Sequence, residues 1–238
     1  MLDETIVNFV NMCYSDIEKA EDILKNEPSI VSESTSIDET PLTLLIRWYS
    51  ENIATKKQYI NALKLLLDYG ADVNANNCCG SNPLHLAVLS GDIDIVKILI
   101  SNNADINISD GFLGQTTLGC AVSSGNIDMA KFLIENGVDI HAVDDFGQTA
   151  LHSVVESDEK IEFTKLLIAC GANLDALDGF GNTAIHNSCY ENAQITTMFL
   201  IENGADVYMQ NERGLIPMDA AYKEGNIDLY HKLIDMLS

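Results

Sequence analysis

A glycine recurs along this chain as Gly80, Gly114, Gly147, Gly181 and Gly214, at intervals of 34, 33, 34 and 33. A second landmark keeps the same period: Gly70, Asn103, Gly137, Gly171 and Gly204, at intervals of 33, 34, 34 and 33. Two independent marks in step over five units leave few folds open. A chain that repeats itself at this pitch builds one supersecondary unit many times and stacks the copies. Residues 80–107 show what the unit is. Asn82-Pro83 opens a short helix, with Asn82 placed to cap it and Pro83 at the first helical position, where a missing N–H costs nothing. Leu84, Ala87 and Val88 form its apolar stripe, and Gly91 ends it. Asp92 starts a second helix, whose apolar residues Ile95, Leu99 and Ile100 fall at helical spacing. Asn103-Ala104-Asp105 stops that helix where sister units carry glycine. Helices of about ten residues are marginal in isolation, so each unit needs neighbours of its own kind.

The starts of the first helices read Asn82-Pro83-Leu84-His85, Thr116-Thr117-Leu118, Thr149-Ala150-Leu151-His152, Thr183-Ala184-Ile185-His186 and Ile216-Pro217-Met218. The ends of the units read Gly70-Ala71-Asp72-Val73-Asn74, Gly137-Val138-Asp139-Ile140 and Gly204-Ala205-Asp206-Val207. This T-P-L-H-like start, followed by two helices and a turn, resembles the ankyrin repeat. The resemblance covers residues 34–238 and, weakly, the first 33. It implies an all-α fold, a solenoid of stacked helix-turn-helix units joined by hairpin-like turns. The expected organisation is an N-terminal helical capping unit over 1–33, then about six repeats over 34–238, the last a C-terminal cap. In the capping unit, Ile6, Phe9 and Val10 share one helix face, and a second helix capped at Ser15-Asp16 turns Ile17, Ile23 and Leu24 inward. The first repeat is oversized. Pro41 and Pro83 open successive first helices but stand further apart than the period, and the surplus falls at 48–59, a stretch holding Trp48 and Lys56-Lys57. Another repeat replaces its inter-helix glycine with Ser157-Asp158-Glu159-Lys160.

Charge narrows the partners. Thirty-six acidic against 13 basic residues give a net charge of −23. Such a surface repels phosphate backbones, which disfavours nucleic acid, and either favours encounter with a basic protein or serves solubility alone. No run of about 18 apolar residues offers a membrane span. Met1-Leu2-Asp3-Glu4 lacks the basic start of a secretory signal. Cys13, Cys78, Cys79, Cys120, Cys170 and Cys189 share no metal-ligand spacing and read as free thiols of a reducing, cytoplasmic compartment.

Motifs that spell chemistry dissolve into the repeat. Residues 179–184 match a dinucleotide fingerprint, and Asp145-Phe146-Gly147 matches a kinase magnesium motif. Both are the repeat's turn, without the strand and partner motifs that those sites need. His85, His152 and His186 occupy one repeat position, Gly119 standing there in another unit. The resemblance implies that each ring hydrogen-bonds across the turn to a neighbouring repeat. Thr116, Thr149 and Thr183 read as helix caps. No catalytic residue, metal ligand or cofactor site is expected, and the chain is not read as an enzyme. Asn107-Ile108-Ser109 is a glycosylation triplet without the secretory context that would use it. Leu66 with Asp72-Val73-Asn74, and Leu99 with Asp105-Ile106-Asn107, resemble the ankyrin pattern hydroxylated on asparagine, which points to Asn74 and Asn107.

In ankyrin stacks the hairpin tips and first helices form a concave face that binds protein. The residue before the turn glycine is Cys79, Leu113, Phe146, Phe180 and Arg213 in turn. Turn tips favour small polar residues, so this apolar series, extended by Phe112, reads either as a set of exposed anchors or as rings that fold back to staple adjacent tips. The ends of the first helices add Leu89, Glu156, Tyr190, Glu191 and Tyr222, and Asp145 adds charge beside the aromatics. The expected function is non-catalytic binding of a partner protein by a monomer, as scaffold, inhibitor or adaptor. Two alternatives are an acidic inhibitor or immunity-type protein that neutralises a basic protein, and a pathogen or symbiont effector acting in a host cell.

Overall fold

The computed structural model describes residues 2–48 and 55–237, with fourteen α-helices among them. They gather into two compact units, Met1–Phe112 and Leu113–Ser238.

In the first unit the helices come in pairs: α1 (Leu2–Ser15) with α2 (Ile17–Asn26), α3 (Pro41–Arg47) with α4 (Lys56–Asp68), and α5 (Pro83–Ser90) with α6 (Ile93–Ser101). Helix α3 packs between α1 and α5, so the first helices form one layer. The apolar stripes read from the sequence lie in the seam: Ile6, Phe9, Val10, Leu24, Leu84, Ala87, Val88, Ile95 and Leu99 are all buried. Short polar side chains set the helix starts. Thr40 accepts the Thr43 N–H at 3.2 Å, Asn82 that of His85 at 3.0 Å and Asp92 that of Asp94 at 2.9 Å. Of the surplus stretch at 48–59, Trp48 is the half-buried C-cap of α3, and Lys56–Tyr59 form the first turn of α4. That turn makes α4 13 residues long, against 9 in α6. Residues 49–54 lie outside the described residues.

The second unit repeats the plan four times: α7 (Thr117–Ser123) with α8 (Ile127–Glu135), α9 (Ala150–Val154) with α10 (Ile161–Ala169), α11 (Ala184–Tyr190) with α12 (Gln194–Glu202), and α13 (Pro217–Lys223) with α14 (Ile227–Leu237). Helices α7, α9, α11 and α13 are successive neighbours in one layer. Where the inter-helix glycine is lost, a short 3-10 turn at Asp158–Lys160 fills the gap. Its Asp158 takes on a task in the next repeat. The N-cap of helix α12 is Ala193, which has no side-chain acceptor, and the Asp158 carboxylate instead accepts the N–H groups of Ile195 and Thr196 at 3.2 and 2.8 Å.

The two landmarks of the period are two backbone requirements. At the helix ends Gly70, Gly137, Gly171 and Gly204 take φ of 86–94°, and Asn103 takes 67°. The next N–H then turns back to the helix, as Ala71 to the Leu66 carbonyl at 3.0 Å and Ala104 to that of Leu99 at 3.0 Å. Asparagine tolerates this left-handed conformation better than other side-chain-bearing residues, which is why it replaces glycine there. The tip glycines take φ of 63–73°. At Gly80 a Cβ would also stand 2.3 Å from the Gly111 Cα.

Candidate binding surface

Four hairpin tips are each built around one Asn or Asp, at Asn77, Asp144, Asp178 and Asn211. In the second unit, Asp144 Oδ1 accepts the N–H groups of Phe146 and Gln148 at 2.9 Å each. Asp178 Oδ1 does the same for Phe180 and Asn182 at 2.8 and 2.9 Å, and Asn211 Oδ1 for Arg213 and Leu215 at 3.0 and 3.1 Å. Each tip is then tied to the next through the backbone. Leu113, Phe146 and Phe180 offer their carbonyls to the N–H groups of Asp145, Gly179 and Glu212 at 3.0, 2.7 and 3.2 Å. For Phe146 and Phe180 both backbone polar groups are therefore committed, and only the side chains are left over. Those side chains point to solvent: Phe146 is 46% exposed and Phe180 56%. The ordering cost of the anchor residues is already met within the folded chain, which favours binding by side chains alone.

Around these rings the unit is acidic. Asp145, Glu156, Glu191 and Glu212 are exposed. Glu156 is exposed as a residue, but partial desolvation of its carboxyl is the largest cause that raises it above the usual carboxylate range; Lys160 pulls it down and Glu191 adds to the rise. The Glu191 contribution is the smallest of the three. Phe180 and Tyr190 share a pocket of about 150 Å³ with Asn182, Asn211 and Arg213. Its floor is fixed by Asn211 Nδ2, which donates to Asn182 Oδ1 at 2.8 Å and to the Tyr190 hydroxyl at 3.1 Å. Tyr222 is exposed but pairs with Tyr230, ring centroids 5.0 Å apart.

Of the other expected contacts, Leu113 opens the second unit and is exposed, whereas Cys79, Leu89 and Phe112 belong to the first, all exposed, Phe112 to 72%. The single-residue reading passed over Asn182 and Asn211, whose place in the pocket depends on where side chains of different repeats meet. Val143 and Leu177 were also missed. They sit one residue before Asp144 and Asp178, 34 apart, and are half exposed. Their signal was an apolar residue beside a turn residue at the repeat period.

His152 and His186 do what their position implied, and His85 Nδ1 lies 2.6 Å from Asn82 Nδ2 at the start of its own helix. His152 Nε2 lies 3.1 Å from the Ala176 carbonyl and 3.2 Å from that of Asn182; His186 Nε2 lies 2.9 Å from that of Leu215. Each ring thus donates from Nε2 into the next hairpin. Nδ1 is the acceptor for the N–H of Thr149 or Thr183, at 3.1 and 3.2 Å, and for the same threonine's hydroxyl at 2.9 and 2.8 Å. Thr149 and Thr183 are the N-caps of α9 and α11, as expected, each in a reciprocal capping box with the histidine three residues on. Thr116 has glycine in place of histidine and caps its helix directly, to the Gly119 N–H at 3.0 Å. Asn74 Oδ1 accepts the Asp105 N–H at 2.9 Å, and Nδ2 donates to the Asn103 carbonyl at 3.4 Å, joining two repeats; Asn107 is exposed. All six cysteines are free, and burial pushes the Cys13 and Cys189 thiols up to about 12. Among the described residues no group of three His, Cys, Asp or Glu is placed to hold a metal ion, and no helix is long and apolar enough to cross a membrane.

Family models for ankyrin repeats match residues 18–110, 52–144 and 110–176 in a three-copy form, and 167–221 in a many-copy form. The chain belongs to the ankyrin repeat family. Relatives include an ankyrin repeat protein of fowlpox virus, 49% identical over 47 residues, which are 20% of this chain and 18% of the relative. The NF-kappa-B inhibitor cactus of Drosophila melanogaster is 46% identical over 48 residues, 20% of this chain and 10% of the relative. A palmitoyltransferase of Naumovozyma castellii is 33% identical over 105 residues, 44% of this chain and 14% of the relative. The matched segment is less than a fifth of the length of each of these relatives. What is shared is the ankyrin repeat itself, a protein-interaction module.

Proposed function

We propose that this ankyrin chain binds a basic protein through the hairpin tips and first helices of its second unit, with Phe146 and Phe180 as anchors and Asp145, Glu156 and Glu191 as the charged rim. The observation that carries the reading is the exposure of the two phenylalanine rings on backbone that is hydrogen-bonded on both sides. A ring that served only to staple adjacent tips would be covered. The net charge of −23 supports a basic partner. Non-catalytic action in the cytoplasm as a monomer completes the reading. Hydroxylation at Asn74 fits less well than a structural role, since both ends of its amide already join two repeats.

The test compares the wild type with Phe146→Ser/Phe180→Ser as bait in affinity purification, followed by direct binding of the recovered protein. The double variant should melt close to wild type and lose at least about tenfold in affinity, the scale of an interface anchor. Wild-type affinity should fall steeply between low and physiological salt. Unchanged binding by the double variant would remove the anchors from the interface, and salt-independent binding would remove the basic partner.

A further inference from the structure

The tip at residues 77–80 differs from the others. Its central positions are Cys78 and Cys79, where later tips carry Asp145-Phe146, Gly179-Phe180 and Glu212-Arg213. Both thiols are free and exposed, and their sulfurs stand 3.7 Å apart. The turn beneath them is held from several sides. The Gly80 N–H donates to the Asn77 carbonyl at 2.8 Å, and Asn77 Oδ1 accepts the N–H groups of Cys79 and Ser81 at 3.0 Å each. The Cys78 N–H reaches the Ile37 carbonyl at 3.3 Å, and the Gly111 N–H reaches that of Gly80 at 2.9 Å.

This geometry selects among dithiol chemistries. A disulfide needs its sulfurs at about 2.05 Å, and between adjacent cysteines it closes an eight-membered ring that strains the trans peptide joining them, which the hydrogen bonds of the turn hold in place. Two thiolates bound at about 2.3 Å to one tetrahedral centre stand about 3.8 Å apart, and a three-coordinate pyramidal centre with angles of about 100° holds them a few tenths of an ångström closer, so a small side-chain rotation from the 3.7 Å present suits a single bridging atom. A zinc-like ion would want four ligands, and no third His, Cys, Asp or Glu among the described residues completes such a set. A monosubstituted trivalent arsenical is complete with two sulfurs.

The geometry points to a vicinal dithiol site, Cys78 with Cys79, that chelates one monosubstituted trivalent arsenical. Two As–S bonds form and two As–OH bonds break. Each thiol proton leaves with a hydroxide as water, and arsenic stays trivalent, so no oxidant or reductant takes part. The hydrogen bond between the thiols, with Glu39 and Asp38 nearby, holds the Cys78 thiol above its ordinary range. Cys78 is therefore a sluggish nucleophile towards reagents that engage one sulfur only. The site stands on the first unit alone and does not depend on the partner proposed above.

Phenylarsine oxide added to the full chain tests this. Intact-mass measurement and thiol titration should show one phenylarsenic group bound and two thiols lost, and peptide mapping of the wild type should place it on Cys78 and Cys79. The adduct should survive excess mercaptoethanol and release with dithiothreitol. Cys78→Ser or Cys79→Ser should shorten its retention roughly 100-fold, since the second, intramolecular contact is gone, while Cys170→Ser should leave it unchanged. An adduct mapped to Cys170, a single-cysteine variant that retains it as long, or displacement by mercaptoethanol would overturn the site. Mapping needs no variant, so the result stands even if a substitution disturbs the fold.

Discussion

His152 and His186 show how one residue ties two repeats. Each ring accepts at Nδ1 from its own threonine and donates at Nε2 to a carbonyl of the next hairpin, so it works only as the neutral tautomer with the proton on Nε2. Burial is the largest cause that holds both rings below the usual histidine pKa; the carbonyl hydrogen bonds and Asp178 pull the other way. An unfolded histidine titrates near 6.5. As pH falls from neutral, the unfolded chain takes up these protons first, so stability is full above that value and is lost on acidification through the folded pKa values. His152→Gln/His186→Gln should be less stable than wild type at pH 7.5, by about 1 kcal/mol for each hydrogen bond lost. The gap should narrow by pH 5, where only the wild type bears the cost of the two protons. Denaturant titrations of both proteins at the two pH values check this. The difference between them removes the effect of the many carboxylates, which titrate in both. The role of the rings was legible from their recurrence in the repeat. Which nitrogen does what was not, because that depends on a carbonyl in a different hairpin.

At the scale of elements, most helices carry their own start signal: Asn82, Asp92 and Thr116, legible in the sequence, accept the N–H groups that their positions suggest, and Asn126 does the same for Met129. Helix α12 does not. Its cap arrives from Asp158, in the turn that replaces the missing inter-helix glycine of the preceding repeat. In the sequence that turn looked like decay of the repeat, whereas in the structure it supplies the start of the next second helix. Asp158→Ala should destabilise the chain by about 1 kcal/mol, the usual worth of a helix cap, and Asp158→Asn by less. Hydrogen exchange should show the loss at the first turn of α12, with α8 unaffected. Equal protection of α12 in wild type and Asp158→Ala would show that the carboxylate does not support that helix.

For the whole molecule, charge is the dominant quantity. Thirty-six acids and 13 bases put a strong negative field on thin stacks whose helices are short. Self-repulsion of that kind weakens the compact state and is screened by salt, with a Debye length near 8 Å at about 0.15 M. The melting temperature should therefore rise between about 10 and 150 mM sodium chloride, while partner binding weakens over the same range. A fall in melting temperature would mean that ion pairs such as Lys56 with Asp92 and Asp94 outweigh the repulsion.

The repeat, its helical pairs, their buried stripes and the apolar tips were determined by the sequence alone, because each depends on residues a few positions apart and recurs at a fixed pitch. Tertiary structure decided what lies between units: the borrowed cap at Asp158, the tautomer of the histidines, the Asn182–Asn211–Tyr190 floor of the pocket and the 3.7 Å separation of the two thiols. All but the last join side chains to groups in another repeat, and spacing along the chain does not report which atoms meet when one repeat is laid on another. The thiols are neighbours in sequence, but their separation depends on how the turn beneath them is held.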